Sequence, residues 1–162
     1  MKPVSLTINA ELFDFAELSA TQQQLVNLAK EAAANAYAPY SHFHVGAAVL
    51  LSNGETVVGN NQENAAYPSG LCAERVTMFM ANARYPESAP VAIAVAAYNE
   101  SGFLEQPISP CGACRQVLME TQQRYDTPLE VLLYGEQGTL RFQSVEQLLP
   151  FSFSRLQLDF GK

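Results

Sequence analysis

PVAIAVAAY, residues 90–98, contains no charged side chain and one hydroxyl, that of Tyr98. An apolar run of this length with Val and Ile among alanines suits a strand buried on both faces, the central position of a sheet covered by helices on each side. LEVLLYG, residues 129–135, reads the same way, and the intervening stretch from about Cys111 to Tyr125 reads as a helix. Strand, helix and strand in that order make a right-handed β-α-β unit with parallel strands. Working outward, VGAAVLL (45–51) and TVVG (56–59) flank Ser52-Asn53-Gly54 and predict a hairpin, because Asn and Gly both tolerate the positive φ of a type I′ turn. TLRF (139–142) follows a glycine turn and pairs beside 129–135, and SVEQLLP (144–150) reads as a short closing helix.

Two further helices are expected. Ser19 and Gln22 have capping-box spacing, and Leu25, Leu28, Ala29, Ala32, Ala33, Ala36 and Tyr37 follow at helical intervals until Pro39. A second helix spans about Cys72 to Arg84, after the polar loop NNQENAAYPSG (60–70). The expected fold is α/β, a three-layer α/β/α sandwich around a mixed five-stranded sheet. The 162 residues are expected to form one domain, 1–162, with residues 1–18 as an N-terminal extension. Alternating Val4, Leu6 and Ile8 there suit an edge strand or an intersubunit contact.

Charge narrows the partners. Sixteen acidic against nine basic residues give a net charge of −7, with the basic residues scattered. Polynucleotide binding needs clustered cations to displace counterions from phosphates, so no nucleic acid is expected as partner. Polar residues interrupt every apolar run well short of the roughly 18 that a membrane helix needs. The start, MKPVSLTINAELFDF, has neither an apolar h-region nor a small-residue cleavage site, and the expected location is cytoplasmic.

All three cysteines lie in two short motifs, LCAER (71–75) and SPCGACRQ (109–116). Three thiols cannot all pair as disulfides, and in a reducing compartment C-x-x-C is more often a metal or redox motif. Cys111 and Cys114, about 300° apart at a helix start, share a face. Cys72 and Glu74, about 200° apart, address one point only if a helix begins there and aims its N-terminus at it. Two helix N-termini then converge on one metal, held by three thiolates with Glu74 alongside. Three protein ligands and an open fourth position are the pattern of catalytic zinc, whereas structural zinc has four. Arg75 and Arg115, one residue beyond the motifs, are placed to offset the thiolate charge. The alternative is a structural-zinc interaction module without activity, its fourth ligand His42 or His44.

Together these motifs, C-A-E followed by P-C-x-x-C, resemble the zinc site of cytidine deaminases, in particular the small homotetrameric class with three cysteines. YAPYSHFHVGAA (37–48), NQENAAYPSGLCAER (61–75), SPCGACRQ (109–116) and LLPFSF (148–153) resemble family segments in family order. The resemblance implies Zn2+ held by Cys72, Cys111 and Cys114, and Glu74 as the catalytic proton carrier. It implies deamination of cytidine and deoxycytidine in pyrimidine salvage, with a modified cytosine nucleoside of the blasticidin type as the alternative substrate. The backbone at Ala73 and Ser109 is implied to hold the base edge, Phe43 to lie against the base, and Asn61 and Glu63 to grip the ribose. Arg75 is implied to hydrogen-bond the thiolates. Phe153 is implied to reach a neighbouring subunit's site, so that the active sites of a homotetramer are shared. The acidic surroundings of Glu63, Glu74 and the thiolates favour a nucleoside over a nucleotide.

Overall fold

Alternation along the central strands decides which helix packs where. The computed structural model describes residues 1–154, 157 and 158. Its elements are β1 (Glu11–Phe13), α1 (Ala20–Ala33), β2 (His44–Leu51), β3 (Thr56–Asn60), α2 (Ala73–Arg84), β4 (Pro90–Asn99), β5 (Gly102–Phe103), α3 (Gly112–Tyr125), β6 (Glu130–Gly135) and β7 (Gly138–Phe142). The sheet order is β1-β7-β6-β4-β2-β3, with β5 pairing the end of β4. Among the described strands only β4 and β6 pair in parallel, joined through α3, and the other strand pairs are antiparallel. Ala92, Ala94, Ala96, Ala48 and Leu132 face α1, while Val45, Ala47, Val49, Ile93, Val95, Ala97, Val131 and Leu133 share a core with residues of α2 and α3. Helices therefore cover both faces, and β4 is the doubly buried strand its composition predicts.

The alanine-rich face lets α1 lie close to the sheet. A Cβ on Gly46 would come within 2.0 Å of the Ala29 carbonyl oxygen, so only glycine fits there. Ser19 caps α1 as expected: its Oγ accepts from the Gln22 N–H at 3.3 Å and Gln22 Oε1 accepts from the Ser19 N–H at 3.0 Å. The helix stops at Ala33, short of Pro39, because Tyr37 is taken up by a backbone bridge to Gln62.

Other elements differ from expectation. The sheet has the five expected strands and two short additions, β1 and β5. The extension does supply an edge strand, but at Glu11–Phe13 against β7, leaving Val4, Leu6 and Ile8 exposed. The hairpin turn is not type I′: only Gly54 has positive φ, and its N–H donates to the Leu51 carbonyl at 2.9 Å. The Leu51 N–H in turn donates to the Glu55 carbonyl at 2.9 Å, closing a three-residue loop with glycine at the left-handed position. The closing helix is a single 3₁₀ turn, Val145–Gln147. Among the described residues no helix is long and apolar enough to cross a membrane.

One buried side chain bolts α3 to its neighbours. Gln122 Oε1 accepts from the Leu129 N–H (3.0 Å), the Val145 N–H (3.2 Å) and the Ser144 hydroxyl (3.1 Å). Gln122→Leu strands these donors, and buried unpaired donors cost about 1–3 kcal/mol each. The expected loss is about 2–4 kcal/mol in urea unfolding. A loss below about 1 kcal/mol would mean that water replaces the amide.

Candidate metal centre and cleft

Both cysteine motifs begin helices. Cys72 is the N-cap of α2 (φ −70°, ψ 153°) and Cys111 the N-cap of α3 (φ −65°, ψ 165°), each in extended backbone. Cys114 and Glu74 follow in the first turns, so both helices direct unpaired N–H groups and the positive end of their dipoles at the thiols. The Cys72 and Cys111 sulfurs lie 3.8 Å apart, and the Cys111 thiol reaches the Cys114 sulfur at 3.5 Å. All three sulfurs lie within 4.8 Å of one another. Zinc–sulfur bonds of about 2.3 Å at the tetrahedral angle put sulfurs about 3.8 Å apart, so the donor set fits zinc in number, type and spacing. Among the described residues neither His42 nor His44 joins this cluster; His44 instead stacks on Tyr98 at 4.7 Å.

Charge in the cluster is unevenly held. The neighbouring Cys114 thiol foremost, with help from Arg75 and Cys111, brings the Cys72 pKa down to about 5. Cys114 is raised, by its neighbour Cys72 foremost and then by burial. Burial foremost, then the Cys72 charge, raises the Glu74 carboxyl above its ordinary range. Glu74 is only 5% exposed. Metal ligation needs thiolates, so a dication bound here displaces thiol protons. Arg75 Nη2 donates to the Cys72 sulfur at 3.8 Å.

Beside Cys72 opens a cleft of about 520 Å³, bounded by Tyr40, Asn61, Glu63, Tyr67 and Arg75. Two side chains of the NQEN loop stitch its wall. Asn61 Oδ1 accepts from the Val45 N–H at 2.8 Å and its Nδ2 donates to the Phe43 carbonyl at 2.9 Å. Glu63 Oε2 accepts from the N–H groups of Tyr40 (2.9 Å) and Ser41 (3.3 Å). The Ser41 hydroxyl first, then the Tyr40 N–H, hold the Glu63 carboxyl below its usual range. Each side chain keeps spare capacity: a lone pair and one N–H on the Asn61 amide, and Oε1 on Glu63.

Residues 19–125 match the family described as "Cytidine and deoxycytidylate deaminase zinc-binding region". The chain belongs to the cytidine deaminase family. It is 40% identical over 133 residues to a cytidine deaminase of Halalkalibacterium halodurans, covering 82% of this chain and 94% of that one. A cytidine deaminase of Sporosarcina psychrophila is 39% identical, with 86% and 96% covered. The crystal structure of cytidine deaminase from Burkholderia pseudomallei superposes with a TM-score of 0.68 at 42% identity, covering 84% of this chain and all of that one. That from Mycobacterium tuberculosis gives 0.65 at 30% identity, with 83% and 98% covered.

As a cytidine deaminase family member, the chain carries the family's zinc-binding region across both helix starts. Cys72, Cys111, Cys114, Glu74 and Arg75 come together, and Asn61 and Glu63 meet Cys72 and Arg75 at the cleft. Ala73 is fully buried at the first position of α2. Ser109 is exposed in the loop before Cys111, and Phe43 is half-buried against the main core. Neither lines the cleft, and nor does Phe153, whose ring is 61% exposed. Among the cleft residues with no role in the sequence-based expectation are Tyr40 and Tyr67, which meet edge to face with ring centres 6.1 Å apart. Their signal was present, since each lies inside a family-like segment. The Arg115 guanidinium is held by carbonyls: its Nε donates to the Pro110 carbonyl and its Nη1 to the Leu148 carbonyl.

Proposed function

We propose that the chain hydrolyses cytidine and deoxycytidine to uridine and deoxyuridine, releasing ammonia. The observation that carries this is the three-sulfur cluster at zinc spacing, with a buried carboxyl two residues from Cys72 and with Cys72 itself lining a cleft of about 520 Å³. Zinc, when bound by Cys72, Cys111 and Cys114, supplies a Lewis acid that brings the pKa of water to near 7. Glu74 takes a proton from the attacking water and delivers it to ring N3 as the C4–O bond forms; it then takes the second proton, from the new C4 hydroxyl, and passes it to the amino group, so that the C4–N bond breaks and ammonia leaves. Backbone at Ala73 and Ser109 holds the base edge, Phe43 supports the ring, and the free valences of Asn61 and Glu63 hold the ribose. Arg75 steadies the Cys72 thiolate.

A single domain spanning residues 1–162 belongs to the same proposal, as do a role in pyrimidine salvage, a cytoplasmic setting and a homotetramer. The exposure of Phe153 supports the assembly, since a ring left 61% in water gains by entering a neighbour's site.

The family description names a nucleotide as well as a nucleoside, and the cleft favours the nucleoside. Its one basic lining residue is Arg75, which is engaged with Cys72, while Glu63 is charged. A substrate phosphate meets like charge, and such juxtapositions cost several kcal/mol, so CMP is expected to turn over about 10²-fold or more slowly than cytidine. Ultraviolet assays of cytidine, CMP and free cytosine in parallel decide it. Comparable rates for cytidine and CMP would overturn the nucleoside reading.

A further inference from the structure

Arg115 and Gln116 directly follow Cys114, and both turn away from the sulfurs toward the C-terminal segment. Arg115 Nε donates to the Pro110 carbonyl at 2.8 Å and Nη1 to the Leu148 carbonyl at 3.0 Å. Gln116 Nε2 donates to the Phe153 carbonyl at 2.7 Å. One guanidinium therefore spans the residue before Cys111 and the first residue of LLPFSF. We propose that Arg115 is a positioning residue that couples the metal-binding arm, 110–114, to the C-terminal segment, 148–153, while Gln116 secures only the far end of that segment. This rests on the three sulfurs being the metal's ligands.

Geometry makes the coupling specific. The Pro110 carbonyl belongs to the peptide that leads into Cys111, so fixing it fixes where the Cys111 side chain starts. Leu148 is a firm anchor, 6% exposed beside the fully buried Val145. Beyond it two rings stand out in solvent: Phe151 is 81% and Phe153 61% exposed. Donors on a planar guanidinium keep a fixed mutual angle, so moving one carbonyl strains the bond to the other. An ammonium carries charge but no such fork. Coupling of this kind is reciprocal: if the segment steadies the metal arm, the bound metal must steady the segment.

The test uses the full chain, zinc-loaded and zinc-stripped, with zinc affinity measured by competition against a chromogenic chelator. Hydrogen exchange of peptides covering 148–153 is followed in parallel. In the wild type, stripping zinc is expected to speed exchange across 148–153. Arg115→Ala is expected to weaken zinc binding about 10- to 100-fold, the usual effect of losing an outer partner of a metal ligand. In that variant the segment should exchange fast with or without zinc. Arg115→Lys should recover little, whereas Gln116→Ala should free the segment's end and leave zinc affinity within about twofold. With cobalt(II) in place of zinc, the sulfur-to-metal absorption should shift in Arg115→Ala but not in Gln122→Leu, which destabilises the fold without touching the arm.

Wild-type zinc affinity in Arg115→Ala would overturn the proposal. So would exchange of 148–153 in the wild type that ignores zinc. If Arg115→Ala does not fold, Arg115→Lys and the zinc dependence of the wild type decide between the outcomes. A wild-type chain that takes up no zinc would sink the metal-site reading, and this inference with it.

Discussion

Glu74→Gln is expected to lower turnover of cytidine by about 10² to 10⁴-fold, the usual contribution of a positioned general acid–base group, and to leave zinc bound. Glutamine matches the carboxylate in shape, so the 5% exposed site should accept it without a cavity. What it cannot do is accept the proton from water and hand it on. Burial holds the free carboxyl above its ordinary range, and a dication beside it pulls the other way. The side chain is thus suited to both taking and giving a proton within one cycle. Rates come from ultraviolet absorbance and metal content from atomic absorption on the same preparation. A variant that keeps zinc and more than about a tenth of the rate would show that another group carries the proton. A structural-zinc module would show no cytidine turnover in either form.

Cys114→Ala is expected to reduce zinc retention to background after dialysis against a chelator, and to abolish turnover with it. Of the three thiols this one is fully buried, and its neighbour Cys72 and burial raise it above the ordinary thiol range. Its ligation therefore depends on the metal displacing the thiol proton, and its removal leaves two sulfurs where the site needs three. At zinc about 1,000-fold above the dissociation constant, binding stabilises the fold by about 4 kcal/mol. For a chain of this size that is roughly 10 °C in melting temperature. Scanning calorimetry should show this shift between loaded and stripped wild type and none in the variant. Acid should mimic the substitution: thiolates bind metal and thiols do not, so the zinc-dependent shift is present at neutral pH and lost as pH falls. A variant that still gains stability from zinc would require a ligand outside the cluster.

What can be read from the chain alone divides along physical lines. The doubly apolar 90–98 run, the Ser19 cap and the two helix starts at cysteines depend on neighbouring residues alone, and the structure has all of them. The β1 strand is not legible at its true position, because Glu11–Phe13 is too short to show a period and exists only through pairing with β7. The hairpin turn departs from type I′ because Asn53-Gly54 fits two loop lengths locally, and the register with β3 selects the longer. At the site, residue types and spacing indicate the sulfur cluster. They do not indicate that Asn61 and Glu63 spend half their capacity on the backbone of 40–45, nor that Arg115 reaches Leu148. Those facts depend on which distant carbonyls and amides happen to converge.

The placement of the sulfurs also constrains the route by which the chain folds. Cys111 and Cys114 are three residues apart and remain near each other even in an unfolded chain, whereas Cys72 is 39 residues from Cys111 and approaches only when β4 has crossed the sheet. An unfolded chain can therefore hold zinc through two sulfurs but not three. Zinc offered to the unfolded chain would meet the local pair first, and Cys72 would join once α2 and α3 both pack on the sheet. Whatever affinity the two-sulfur state has is subtracted from the metal's apparent stabilisation of the native fold.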